Sequence, residues 1–160
     1  MPHCIKFPIT LFVLIYMKLK TLLLVLLLST SFIGISYADY QDGLDAYGKG
    51  DYKTAIKEWK PLAKKGSATA QFNLSNMYSS GRGILRDDIK AEKWMRKAAE
   101  QGDAHSQFLL GWMYEDNSFI LRDLSEAKYW INKAYENPNA DAMTVRLAKD
   151  NWESYELWKY

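Results

Sequence analysis

Few side chains in this sequence of 160 residues are of the types that carry out catalysis. Its histidines are His3 and His105 and its single cysteine is Cys4, so His105 is the one imidazole beyond the N-terminal segment. A hydrolase triad or a zinc site gathers several imidazoles, thiolates or carboxylates together. A solitary histidine predicts a solvated or half-packed helix residue. We therefore expect no catalytic residue, no metal site and no cofactor.

Adjacent carboxylates occur as Asp87-Asp88 and Glu115-Asp116. Paired carboxylates can act in general acid–base catalysis when both reach the substrate. Neighbouring residues on a helix point in different directions, and both pairs lie near predicted helix ends, where a carboxylate can accept hydrogen bonds from open backbone N–H groups. Helix capping and solvation are the predicted roles, and an enzyme is the least favoured function.

The first 38 residues differ in kind from the rest. Two lysines in Met17–Lys20 precede the apolar run Thr21–Leu28, and Ser36-Tyr37-Ala38 has the small-x-small pattern of a cleavage site. This order is typical of a secretory signal peptide. We expect translation to start at Met17 and cleavage to follow Ala38, which places the protein in the periplasm or outside the cell. The alternative is an uncleaved segment that anchors the protein in the inner membrane.

The chain beyond Ala38 is nearly neutral, with 18 Lys and Arg residues against 19 Asp and Glu residues. A nucleic-acid-binding domain needs a clustered basic surface, so nucleic acid is not an expected partner. Membrane contact is expected only through the N-terminal segment before cleavage. No cysteine follows Cys4, which excludes a disulfide from this part of the chain.

The sequence repeats itself at a period of 36 residues. When Ser67–Gly102 is placed over Asp103–Pro138, 15 of the 36 pairs are identical without a gap. A period of this length predicts stacked helix pairs, each of which covers the apolar face of its neighbour. The aromatic residues Trp94 and Trp130 recur at the period, and we expect both rings to be buried between helices.

The pattern predicts an all-α fold, a right-handed α-solenoid of about three helix-turn-helix repeats with a C-terminal capping helix. Residues 39–66 form a shorter first repeat, 67–102 and 103–138 form two full repeats, and 139–160 form the cap. Terminal units of such arrays are atypical because they cover an exposed apolar end. The alternative for the last segment is that its aromatic residues Trp152, Tyr155 and Trp158 form a tail that binds a partner.

The repeat resembles a known family. Its residues Ala70, Leu74, Tyr78, Gly81, Gly83, Asp87, Ala91, Trp94, Ala98, Ala99 and Gly102 are spaced as in the Sel-1-like repeat, a branch of the tetratricopeptide superfamily. The opening Gly50-Asp51-Tyr52 is similar to the tetratricopeptide-like first unit of bacterial members. Departures from the family pattern are Ser75, where glycine is favoured, and Asn117, Phe119 and Pro138 in the last repeat.

The resemblance implies that the first helix of each repeat lines a concave wall. By position, it assigns partner binding to Thr69, Phe72, Asn76, Ser79, His105, Phe108, Trp112 and Glu115. Asn76 and Trp112 occupy equivalent positions, so the core does not require a large ring there, and a large aromatic residue can anchor an interface. The alternative for Phe72 and Phe108 is that they fill the gap between helices.

The expected function is that of a non-catalytic adaptor or scaffold whose partner is another protein. The resemblance also implies three narrower roles. One is an immunity or inhibitor protein that neutralises an exported toxin, the second is a secreted factor that meets host proteins, and the third is a scaffold of the cell envelope.

Overall fold

The computed structural model describes residues 17–20, 40–116 and 120–154 and divides the chain into two compact units, Met1–Ala38 and Asp39–Tyr160. In the first unit, residues 17–20 are helical and exposed. The apolar run and the cleavage site of the predicted signal peptide lie outside the described residues. Among the helices that are described, none is long and apolar enough to span a bilayer.

The described part of the second unit contains seven helices and no strand. The helices are α1 (residues 40–48), α2 (Tyr52–Lys64), α3 (Ala68–Ser80), α4 (Asp88–Glu100), α5 (Ala104–Glu115), α6 (Leu124–Tyr135) and α7 (Ala142–Ser154). From α2 onwards each helix packs on the next one, and α5 also contacts α7. Contact between neighbours in chain order is the architecture of an α-solenoid, which confirms the predicted fold class.

Each helix from α2 to α7 starts at a polar side chain that accepts a hydrogen bond from a backbone N–H of its first turn. These residues are Asp51, Ser67, Asp87, Asp103, Asp123 and Asp141. Asp51, Asp87 and Asp123 are separated by the repeat period. A cap of this kind stabilises a helix by about 1 kcal/mol, so Asp87 has the capping role that the sequence predicts.

Buried glutamine side chains join successive repeats. The Gln71 Nε2 donates a hydrogen bond of 3.0 Å to the Ala63 carbonyl at the end of α2, and the Gln71 Oε1 accepts one of 2.7 Å from Gln101 after α4. One period later, Gln107 makes the equivalent pair of bonds at 3.1 and 2.9 Å. A satisfied buried amide fixes the relative position of the three elements that it contacts.

The two repeated tryptophans differ in burial. Trp130 is 3% exposed, whereas Trp94 is only partly buried. Trp94 packs against two clusters of buried residues, one that contains Leu74 and one that contains Met95, so its predicted packing between helices is confirmed. The Lys97 ammonium lies over its ring, 4.8 Å from the centroid. Arg96 of α4 lies over the Trp130 ring, and the Trp130 Nε1 donates a hydrogen bond of 3.0 Å to Glu126.

The loops between the helices of the two full repeats close with the same backbone bond. The Asp87 N–H donates to the Tyr78 carbonyl at 3.0 Å, and the Asp123 N–H donates to the Tyr114 carbonyl at 2.9 Å. Two of the departures from the family pattern, Asn117 and Phe119, lie outside the described residues.

The helices α5 and α6 approach each other closely at Gly111. A Cβ atom on Gly111 would lie 2.5 Å from Cγ1 of Ile131 and 3.0 Å from the Ala127 carbonyl oxygen. The equivalent residue of the preceding repeat, Ser75, carries a Cβ and is buried, and its Oγ donates a hydrogen bond of 2.7 Å to a backbone carbonyl of α4. There the unbranched Met95 takes the position of Ile131. The serine is thus matched by a more adaptable side chain on the next helix.

This pairing predicts the response to substitution at Gly111. Gly111→Ser should lower the free energy of unfolding by about 1–3 kcal/mol, because the added atoms overpack the contact between α5 and α6. Adding Ile131→Met should restore part of the loss, since it recreates the combination found one repeat earlier. Urea denaturation followed by circular dichroism measures both effects.

Gly48→Ser is the matched control, because a Cβ atom at Gly48 meets nothing within 4 Å. An unchanged denaturation midpoint for Gly111→Ser, or a double variant less stable than the single one, would contradict this account of the contact.

Candidate protein-binding wall

The eight predicted binding residues lie on α3 and α5, the first helices of the two full repeats. Six of them are partly or fully exposed on these helices, namely Thr69, Phe72, Asn76, Ser79, His105 and Trp112. These six residues are called the wall below.

The other two predicted residues are buried, and their assignment to an open surface is wrong. Phe108 is 8% exposed and packs in a cluster that includes Ala148 of α7. Glu115 is 5% exposed and accepts a hydrogen bond from Asn151 of α7. Both errors have the same cause, because α7 packs on α5 and covers this part of it. The alternative role of filling the gap between helices therefore holds for Phe108.

One part of the wall lies near the starts of α3 and α5. The rings of Phe72 and His105 are in contact, with centroids 5.5 Å apart, and Thr69 lies one turn before Phe72 on the same helix. Asp141, the cap of α7, is close enough to His105 to interact with it electrostatically. The pKa of Asp141 is lowered mainly by hydrogen bonds from Thr144, and His105 adds to this shift.

The other part of the wall forms a cleft between α3 and α5. Asn76, Ser79 and Trp112 line it together, as the sequence predicts. The cleft offers about 80 Å³ of space to solvent. Its remaining lining residues are Ser75, Met95, Leu109 and Met113.

Sequence reasoning missed Leu109, although a signal was available. Leu109 is equivalent to Asn73, so a polar position in one repeat is apolar in the next, as with Asn76 and Trp112. Where equivalent positions of the two repeats carry different residues and are partly exposed, the side chain is not required for packing between the repeats.

A polar network lies beside the wall and ties α4, α5 and α6 together. Arg96 pairs with Glu92 at 2.8 Å and with Glu126 at 3.1 Å, and it donates a hydrogen bond to the Tyr114 hydroxyl. The Tyr114 hydroxyl in turn donates to Glu92 at 2.8 Å. Burial, followed by the Glu92 carboxylate, raises the pKa of Tyr114 to about 12. These groups fix the position of α5 and so of the Trp112 side of the cleft.

Within the described ranges, no group of His, Cys, Asp and Glu residues could hold a metal ion. His105 is the one titratable side chain among the six residues of the wall. The arrangement offers shape, an aromatic face and amide and hydroxyl groups for hydrogen bonding.

Glu115 and Asn151 join α5 to α7 through a polar contact that is only half satisfied. The Asn151 Nδ2 donates a hydrogen bond of 2.6 Å to the Glu115 Oε2, whereas the Glu115 Oε1 and the Asn151 Oδ1 have no hydrogen-bond partner among the described atoms. Burial raises the pKa of Glu115. A protonated carboxyl group would have a hydrogen to donate, and a carboxylate has none.

We expect Glu115→Gln to stabilise the protein by about 1 kcal/mol at neutral pH, the usual scale for a buried unsatisfied group. Since the folded pKa is raised, the stabilisation from protonated Glu115 is present below the ordinary carboxyl pKa and is lost as pH rises through the folded value. The gain should therefore shrink towards pH 3. Urea denaturation at both pH values measures it, with Glu136→Gln as an exposed control; a gain that is independent of pH would contradict the assignment.

Comparison with protein families identifies the repeats. The model of the family described as "Sel1 repeat" matches residues 68–103 and again 104–139. These two ranges differ by one residue from the boundaries predicted from the sequence.

Two solved structures resemble the chain. A Sel1 repeat protein from Oxalobacter formigenes shares 28% identity at a TM-score of 0.61, over 79% of this chain and 97% of that one. A protective antigen present in uropathogenic Escherichia coli strains, which has the SLR fold, shares 29% identity at a TM-score of 0.57, over 78% of this chain and 32% of that one.

A curated relative matches a shorter stretch. It is the exopolysaccharide production negative regulator of Rhizobium leguminosarum bv. viciae, with 33% identity over 54 residues. This match covers 34% of the present chain and 20% of the length of the regulator. Two matched repeats in a solenoid that also resembles solved proteins of this kind lead to one conclusion: residues 68–139 of the chain consist of two Sel1 repeats.

Proposed function

We propose that this protein is a non-catalytic scaffold of the periplasm or the extracellular space, which binds another protein on the wall formed by α3 and α5. Sel1-repeat proteins are protein-interaction scaffolds, and their fold is typically non-catalytic. The partner and the location are the parts that we propose for this chain. The observation that carries the proposal is the cleft in which Asn76, Ser79 and Trp112 meet.

The chemistry of the cleft indicates how a partner is held. Trp112 offers a large aromatic face beside the apolar Leu109 and Met113, which suits an apolar side chain of the partner. Asn76 and Ser79 offer an amide and a hydroxyl group, which suit the polar backbone of the same segment. Because His105 is the one titratable wall residue, recognition depends on shape and hydrogen bonds more than on charge.

The proposed location follows from residues 1–38. The basic residues Lys18 and Lys20, the apolar run after them and the small residues that end at Ala38 are typical of a signal peptide. Cleavage after Ala38 would release the compact unit Asp39–Tyr160. N-terminal sequencing of the exported protein distinguishes cleavage from an uncleaved inner-membrane anchor.

A second candidate function is that of a secreted factor that meets host proteins. The resemblance to a protective antigen of uropathogenic Escherichia coli strains favours it. This function requires release into the medium, whereas an envelope scaffold is retained in the periplasm. Immunoblotting of culture medium and periplasmic extract separates the two.

The wall predicts a defined loss of binding. Trp112→Ala should weaken the complex with the partner captured by Asp39–Tyr160 by about thirtyfold, which is about 2 kcal/mol and typical of an interface anchor. Isothermal titration measures the affinity, and circular dichroism shows whether the helices are retained. Tyr129→Ala is the matched control, because it removes an aromatic ring that is 50% exposed on α6, outside the wall. Equal affinities for Trp112→Ala and the unchanged protein would remove the cleft from the binding site.

A further inference from the structure

An open groove lies between α6 and α7 and shares no residue with the wall. It encloses about 270 Å³ and is lined by Asn132, Tyr135, Lys149, Trp152 and Glu153. Most of its surface is apolar, and Tyr135 at its side is 49% exposed. An equivalent groove one repeat earlier is occupied by a helix, and that helix indicates what the open groove can bind.

The helix α7 stands in the position of the first helix of a further repeat. Its cap Asp141 follows Asp103, the cap of α5, by 38 residues, and the same shift carries Ser106 onto Thr144. Both of these hydroxyl-bearing residues are fully buried, at 0% and 1% exposure. Thus α6 and α7 form the same pair that α4 and α5 form one repeat earlier.

The earlier pair, α4 and α5, forms a groove that is occupied by α6. Two of its residues contact α6, since Arg96 pairs with Glu126 and Gly111 approaches Ile131. Tyr114 accepts a hydrogen bond from Arg96 and so belongs to the same network. The equivalent pairs are Arg96 and Asn132, Gly111 and Lys149, and Tyr114 and Trp152. The second member of every pair lines the open groove.

We propose that this groove binds one amphipathic helix of a partner protein, stacked on α6 and α7 as α6 is stacked on α4 and α5. The site is separate from the wall, so the protein has two docking surfaces. The side chains around the groove define the chemistry of the helix that fits.

The incoming helix should carry a carboxylate in the place of Glu126. In the filled groove, Arg96 lies over the Tyr114 ring at 5.5 Å and pairs with Glu126 at 3.1 Å. At the open groove the equivalent of Arg96 is the uncharged Asn132, and the nearby cation is Lys128, one turn earlier on α6, which lies over the Trp152 ring at 5.8 Å. No ion pair joins Lys128 to a carboxylate in the part of the chain that the structure describes. The cation is therefore already held over an aromatic ring and lacks only its acidic partner.

The incoming helix should also carry a small residue in the place of Ile131. Gly111 admits the side chain of Ile131 because it has no Cβ, whereas the open groove has the exposed Lys149 at that position. A long side chain there prevents an equally close approach by a branched residue. The occupant is thus amphipathic, acidic at one position and small at another.

A peptide of this chain's own α6 provides the probe. Residues 123–136 with Ile131→Ala contain both required features, Glu126 and a small residue. Titration of this peptide into ¹⁵N-labelled Asp39–Tyr160 should shift the NMR signals of Asn132, Lys149 and Trp152 and leave those of the wall in place.

Charge exchange tests the assignment of Lys128. Lys128→Glu should weaken binding of the peptide roughly five- to tenfold, and a second peptide with Glu126→Lys should bind this variant better than it binds the unchanged protein. Lys93→Glu on α4 is the matched control and should not alter binding. Trp112→Ala should not alter it either, which keeps this test independent of the wall.

Four results would overturn the proposal. The first is no shift of the groove signals at millimolar peptide, and the second is equal affinity of the peptide for Lys128→Glu and the unchanged protein. The third is a dimer of Asp39–Tyr160 that the peptide dissociates, because it would assign the groove to a second copy. The fourth is binding that occurs only after residues 155–160 are removed, because it would assign the groove to the chain's own last residues.

Discussion

The fold depends on close contact between helices at small side chains. Ala55, Ala91 and Ala127 recur at the period of 36 residues on α2, α4 and α6, and each is 0% exposed. Between α5 and α6 even a methyl group is too large, because a Cβ on Gly111 would lie 3.0 Å from the Ala127 carbonyl oxygen. Because close-packed helices fix the positions of their neighbours, these contacts set the distance between α3 and α5. The cleft between them is a consequence of that spacing.

The repeat separates residues that build the fold from residues that are available for binding. Several positions that are identical in both repeats, such as Leu74 and Leu110, are buried at 1% and 0% exposure, whereas the identical pair Leu85 and Leu121 is exposed. Apart from Met113, the cleft is lined by positions at which the repeats differ, including Asn76 and Trp112. Since packing does not dictate these side chains, they are free to serve recognition. The wall thus combines a fixed backbone with variable chemistry.

The sequence was sufficient for the helices and for the cap Asp87, since both follow from spacing within one repeat, whereas the wall was assigned from the family resemblance. It failed where burial depends on a distant element. Phe108 and Glu115 are covered by α7, which follows at a shift of 38 residues and lacks the family signature, so the period of 36 gave no indication of the contact.

Successive interfaces share one backbone geometry but differ in polar chemistry. The position of Arg96 is held by Lys60 in the preceding repeat, and that of Glu126 by Lys90. The ion pair that joins α4 to α6 therefore has no counterpart one period earlier, where the equivalent positions of α2 and α4 both carry lysine. The interfaces share a backbone geometry and differ in charge, so the polar chemistry that links two hairpins is specific to each interface.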